Sequence, residues 1–189
     1  MRKIVLASAS VRRKEILTKV RIPFVVDVSG FDESLGTRSS PSSFVQTIAD
    51  GKATAVAARH KNAIVIGADT VVYFQGKIIG KPGNALDAKK TLKLLNGKTH
   101  TVYTGYCIID TKSGKRRRGV VATRVDFRRL SQKEIDTYVA TGEALDAAGA
   151  YTMQGAAAGF AKRIVGDYYN IIGFPIATII EELKTLDAI

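Results

Sequence analysis

Apolar residues along the chain fall into short blocks of two kinds. Some are unbroken runs of four to six residues; others recur every three or four positions. The run at residues 3–7 reads as a short buried strand, which leads through Ser8 and Ser10 into a helix over roughly 11–20. "FVVDVSGFDES" predicts a second strand and a turn carrying Asp32 and Glu33. The Ser/Pro-rich loop "GTRSSPSS" then supplies caps for a long helix from about Ser42 to Arg59. "NAIVIGADTVVYFQGKIIGKPG" predicts two strands joined by a tight turn at Gln75-Gly76. Asn84, with Asp87 three residues on, opens a helix that ends near Gly97.

The second half follows the same grammar. "THTVYTGYCIID" and "RGVVATRVDFRRL" are rich in β-branched and aromatic residues and predict paired strands. Ser131 and Glu134 form a capping-box signature for the helix "QKEIDTYVAT", which Gly142 can terminate. The Gly/Ala-rich "DAAGAYTMQGAAAGF" predicts a loop that allows close backbone approach. "AKRIVGDYYNIIGFP" reads as a strand and turn, and a final helix starts from Pro175. Strands and helices mix without strict alternation, so the expected class is α/β with a mixed sheet. No repeat or linker divides the chain, and residues 1–189 are expected to form a single domain.

Composition narrows the class. The 46% hydrophobic content of the 189 residues is that of an ordinary globular protein. Runs such as "AIVIGA" are far too short to span a bilayer, so no membrane partner is expected. The apolar run behind Arg2 and Lys3 stops at Ser8 and makes a poor signal peptide. The single cysteine, Cys107, excludes an internal disulfide framework and a zinc-site spacing. A cytoplasmic location is the resulting expectation.

The net charge of +12 implies attraction to polyanions or to phosphorylated small molecules. The only dense basic cluster, "KSGKRRRG", reads as an exposed hairpin tip. No aromatic residues interleave with it, which argues against nucleic acid as the partner.

Four polar residues stand where the hydrophobic pattern would not place them. Asp69 lies inside a buried strand and needs a cation, a metal or hydrogen-bond partners, which backbone amides at a bulge after Gly67 could also supply. Lys52 continues the apolar stripe of Phe44 and Ile48 on a helix, where it either snorkels outward or points its ammonium into a cleft. Lys81 returns near Asp69 and Thr70 if residues 64–74 and 77–81 form a hairpin, opposite Thr70 for a two-residue loop and on the face of Asp69 for a three-residue one. Glu33 sits in a turn and, taken alone, reads as solvated. Arg12, Arg13 and Lys14 crowd a helix start that already carries partial positive charge.

Together these residues suit phosphate chemistry. Arg12, Arg13, Lys52 and Lys81 would neutralise phosphate oxygens. Asp69 and Glu33 could hold a divalent metal or deprotonate a water. No Walker loop or dinucleotide fingerprint occurs. His60 and His100, in helix-end and turn contexts, read as structural, and Cys107 as a core residue.

At this point the chain resembles the Maf family of nucleoside triphosphate pyrophosphatases. The resemblance rests on the ordered blocks "LASASVRRKEIL", "DES", "ADGKA", "GADTVV", "GKIIGKP", "LNGKTHTVYTG", "YVATGEALDAAGAYTMQG" and "GDYYNIIGFP". It implies hydrolysis of a nucleoside triphosphate to the monophosphate and pyrophosphate, assisted by Mg²⁺ or Mn²⁺. It also implies an elongated twisted sheet in two lobes around a central cleft, similar to the ITP/XTP pyrophosphatases, and a homodimer.

By the resemblance, Asp69 is the catalytic carboxylate and Glu33 a second acid for metal or water. Lys52 and Lys81 would serve catalysis, while Ser8, Arg12, Arg13, Thr70 and Gln154 would bind substrate. The block "AYTMQG" is similar to that of members acting on dTTP and UTP. Ala147 departs from a lysine that many members carry, which bears on specificity and activity. The family is also described as inhibiting septum formation. Two readings stand beside this one. One is a pyrophosphatase for 7-methyl-GTP or inosine-type nucleotides. The other is a weakly catalytic, nucleotide- or nucleic-acid-binding regulator of cell division.

Overall fold

The computed structural model describes residues 2–33 and 40–189; residues 36–39 of the Ser/Pro-rich loop lie outside the described residues. Seven strands form one sheet in the order β2-β1-β3-β5-β6-β7, with β4 paired to β3. The strands are β1 (Lys3–Leu6), β2 (Val25–Val26), β3 (Ala63–Phe74), β4 (Lys77–Ile79), β5 (Thr99–Asp110), β6 (Arg116–Phe127) and β7 (Ala161–Val165). The sheet is mixed, as the sequence predicts: β1 runs parallel to β2 and β3, while β3–β4 and β6–β7 are antiparallel. The helices are α1 (Val11–Lys19), α2 (Pro41–Ala57), α3 (Ala85–Leu95), α4 (Gln132–Ala140), α5 (Tyr168–Ile172) and α6 (Ile176–Thr185).

The chain divides into two compact units. One comprises Met1–Asp69, Thr104–Val121 and Gly173–Ile189; the other comprises Thr70–Tyr103 and Ala122–Ile172. In the first unit β1 and the start of β3 pair in register, Leu6 opposite Ile66, and their Ile, Val and Leu side chains are fully buried. Such unbroken apolar runs belong to parallel strands covered on both faces. Helix α2 buries Val45, Ile48, Ala49, Ala53 and Val56. Two strand glycines let it approach closely. A Cβ at Gly67 would lie 2.5 Å from the Ala49 carbonyl oxygen, and one at Gly105 would lie 2.5 Å from that of Val45. Cys107 packs with Ala49, Ala53 and Ile109 as the core residue expected, and burial pushes its thiol pKa upward.

The second unit has its own core, in which Leu92, Leu95, Val125, Ile135, Tyr138 and Phe160 surround Phe127. The Phe127 ring meets His100, Tyr151 and Phe160 edge to face. The β3–β4 register, Phe74 opposite Lys77, confirms the two-residue turn at Gln75-Gly76. Both capping signatures read from the sequence form. Asn84 accepts the Asp87 amide, and Ser131 with Glu134 completes a capping box.

Four expectations change. The second strand shrinks to two residues at the sheet edge. Residues 146–160, expected as a loop, lie largely in 3₁₀ turns, at 148–150 and 156–160 and in the end of one at 143–146, closed by bonds such as Ala150 N–H to Ala147 O and Ala158 N–H to Gly155 O. The stretch after β7, expected as a turn, forms α5, because the Asp167 carboxylate accepts the amides of Tyr169 and Asn170. His100 is also not in a turn; it lies within β5, 2% exposed. The hairpin tip "KSGKRRRG" is exposed from Lys112 to Arg118, as predicted.

Candidate active site

The site is built in the first unit, from strand β3 and helix α2. Asp69 lies within β3, two residues beyond Gly67, where α2 comes closest. Lys52 stands on the face of α2 that carries Ile48, and both are buried. Its ammonium therefore points inward. Lys52 Nζ lies 2.8 Å from Asp69 Oδ1 and 2.7 Å from Glu33 Oε1. The Lys52 and Asp69 side chains are only 11% and 12% exposed, whereas that of Glu33 is 63% exposed.

One ammonium thus serves two carboxylates, and the trio carries one uncompensated negative charge. A buried charged group is tolerated only when paired. Asp69 meets that need through Lys52, which decides between the alternatives left open for both residues.

A second wall starts where β1 ends. Leu6 is opposite Ile66, so the chain leaves β1 beside the stretch of β3 that leads to Asp69. Ligands of open α/β sheets bind beyond such carboxyl ends of strands. Ser10 caps α1 by accepting the Arg13 amide. Ser8 Oγ accepts from the Ser10 amide at 3.2 Å and from an Arg13 guanidinium nitrogen at 3.0 Å. Both acceptor positions of that hydroxyl are filled, so its own proton is left to donate outward.

Arg13 Nε donates to the Gly173 carbonyl at 2.9 Å, and the residue is only 8% exposed. It is a brace between Ser8 and Gly173. Its neighbour Arg12 is half-buried, and no acid occupies the first turn of α1.

The second unit holds the remaining candidates. Lys81 follows β4 and pairs with Asp146 at 2.5 Å, both largely exposed. The sequence reading did not single out Asp146, although it opens the block "DAAG". Ala147 beside it is buried. Gln154 is exposed and Thr70 half-buried. His100, read as structural, donates to or accepts from the Tyr151 hydroxyl at 2.8 Å within the aromatic cluster. Burial lowers its pKa to about 4, so it is neutral at physiological pH.

Among the described residues no group of three or more His, Cys, Asp or Glu side chains gathers for a metal. Glu33 and Asp69 nevertheless present hard oxygen donors with a net negative charge around Lys52. Such a pair suits Mg²⁺ or Mn²⁺, which commonly takes one or two carboxylates and completes its shell with phosphate and water. Among the described residues no helix is long and apolar enough to cross a membrane.

Known proteins resemble this chain over its whole length. A dTTP/UTP pyrophosphatase of Bacillus mycoides (strain KBAB4) is 48% identical over 188 residues, covering 100% of this chain and 97% of that protein. One from Bacillus cereus (strain B4264) is 49% identical over 187 residues, covering 99% and 97%. The fold is that of a HAM1 protein from Coxiella burnetii, matched with a TM-score of 0.53 at 14% identity over 96% of this chain and 100% of that one. The family model described as "Maf-like protein" matches residues 3–186, and on that match and these identities the chain belongs to the Maf family.

Proposed function

We propose that this protein is a nucleoside triphosphate pyrophosphatase that converts dTTP and UTP to the monophosphate and pyrophosphate. The chemistry is carried by one observation: the buried Asp69 shares the Lys52 ammonium with the exposed Glu33. The choice of pyrimidine nucleotides rests on the full-length relatives named dTTP/UTP pyrophosphatase.

In this mechanism Asp69 accepts a proton from a water positioned in line with the α-phosphorus. The water oxygen bonds to that phosphorus. The bond from phosphorus to the oxygen bridging to the β-phosphate breaks, and pyrophosphate leaves with the electron pair. Ser8 donates its free proton to a phosphate oxygen, and Arg12 lies along the same wall. Arg13 fixes Ser8 and adds positive potential. Lys52 pairs with Asp69 and offsets charge developing on the phosphate. Asp69 and Glu33 would hold a divalent cation, which when bound supplies Lewis-acid stabilisation of the phosphate oxygens.

In the second unit Lys81, Thr70 and Gln154 are assigned to substrate by their match to the family motifs. An amide that both donates and accepts suits a pyrimidine edge at Gln154. The same family motifs support a homodimer.

Pyrophosphate release measured across canonical and modified triphosphates tests this reading. dTTP and UTP are expected to lead, and Asp69→Asn to lose about 100-fold or more in kcat with its fold retained. Preference for 7-methyl-GTP or inosine triphosphate would overturn the substrate assignment. Full activity in Asp69→Asn would overturn the role of Asp69.

A further inference from the structure

The segment from Asp27 to Glu33 has almost no regular structure, yet it lies along α2 and is held at three places. Asp27, whose amide donates to Leu6 O, receives two hydrogen bonds from Arg59, at 2.6 and 3.1 Å, and meets His60 Nε2 at 2.8 Å. Those bonds, Arg59 first, hold its carboxyl near a pKa of about 2. Arg59 also donates to Val28 O. Arg59 and His60 follow the carboxyl end of α2, so the segment starts there. It finishes at mid-helix, where Glu33 meets Lys52.

Between these ends sits Phe31. A Cβ placed on Gly51 would lie 2.3 Å from two atoms of the Phe31 ring. No side chain larger than hydrogen fits under the ring as it stands.

Two facts make this seat informative. Glycine inside a helix is less favourable than alanine, and Gly51 is in the interior of the 17-residue α2. The Glu33 carboxylate is 63% exposed, and an ion pair that open contributes too little to hold a backbone segment. Something other than the ion pair must fix Glu33. We propose that Gly51 is a positioning residue: the notch it leaves in α2 seats the Phe31 ring and thereby fixes Glu33 at Lys52. This inference rests on the reading of Glu33 as the second acid of the site.

The test uses the full-length protein with Gly51→Ala, Phe31→Ala and Glu33→Ala, singly and in pairs. Gly51→Ala is expected to lower kcat about 10- to 100-fold, since misplacing a reacting group by about 1 Å can cost on the order of 100-fold. Its thermal midpoint should hold or rise, because alanine is the better helix former. A merely structural glycine would lose both together. Phe31→Ala gives the same loss, and adding Gly51→Ala to it, or to Glu33→Ala, brings no further loss. Unchanged kcat in Gly51→Ala, or an additional loss in the Glu33→Ala background, would overturn the proposal. Full activity in Glu33→Ala alone would instead overturn the reading of Glu33 on which it rests.

Discussion

Lys52 shows how a single side chain can be legible in part. Its place on the apolar stripe after Phe44 and Ile48 marks it as unusual, because lysine is among the last residues to be buried without a partner. That partner is not legible, since the 2.8 Å approach to Asp69 depends on α2 settling onto Gly67. His100 was placed less well from sequence: its neighbours mark a strand, but nothing local reveals the aromatic cage of Phe127 and Tyr151. That cage has a measurable consequence. Desolvation lowers the His100 pKa to about 4, against an ordinary 6.5, and the weaker pull of Asp126 does not reverse it. Between those values the unfolded chain binds a proton that the folded one refuses. Stability contributed by the neutral ring is therefore complete above pH 6.5 and falls as pH drops toward 4. The loss from pH 7 to 4.5 is on the order of 2–3 kcal/mol. Urea unfolding at both pH values should show His100→Gln losing less than the parent. Equal losses would remove His100 as the cause.

At the scale of elements, what is written locally was readable. The capping box of α4 is the clearest case: Ser131 Oγ accepts the Glu134 amide at 3.2 Å, and Glu134 accepts the Ser131 amide at 2.8 Å. Arg128 adds a 2.6 Å ion pair, and these contacts hold the Glu134 pKa near 2, Arg128 contributing most. Ser131→Ala should cost about 1 kcal/mol in urea unfolding and leave KM unchanged, because the lost bonds join Ser131 to Glu134 at a helix end and reach none of the candidate site residues. The 3₁₀ turns over residues 143–160 were not readable. Runs of Gly and Ala carry no apolar period, and their i+3 bonds need only small side chains. Helix α5 spans five residues, too few to show a period at all. Its one sequence signal is Asp167, which could have been read as a cap.

At the scale of the whole molecule, the excess of 29 basic over 17 acidic residues is the property that no single contact explains. The Glu33–Lys52–Asp69 trio in fact carries a net negative charge, so the positive field must come from residues outside it. Arg116 to Arg118 and Lys112 to Lys115 are exposed at the hairpin tip, and their acidic partners are few: Arg117 has Glu182 and Arg118 has Asp50. A triphosphate bears several negative charges, and a field of this sign raises the rate at which it arrives. Salt separates this long-range effect from the chemistry. At about 0.1 M the field is screened beyond roughly 10 Å, whereas the Lys52–Asp69 pair is shielded from solvent and barely responds. Raising monovalent salt from about 0.02 to 0.3 M should therefore lower kcat/KM about 10-fold while kcat changes less than about two-fold. Replacing Lys112, Lys115 and Arg117 by glutamine should flatten that salt dependence without lowering kcat, since none of the three belongs to the trio. A kcat/KM indifferent to salt would mean that the charge serves something other than substrate capture. A parallel fall in kcat would mean that salt reaches the ion pair itself, and the burial of Lys52 would then not be what protects it.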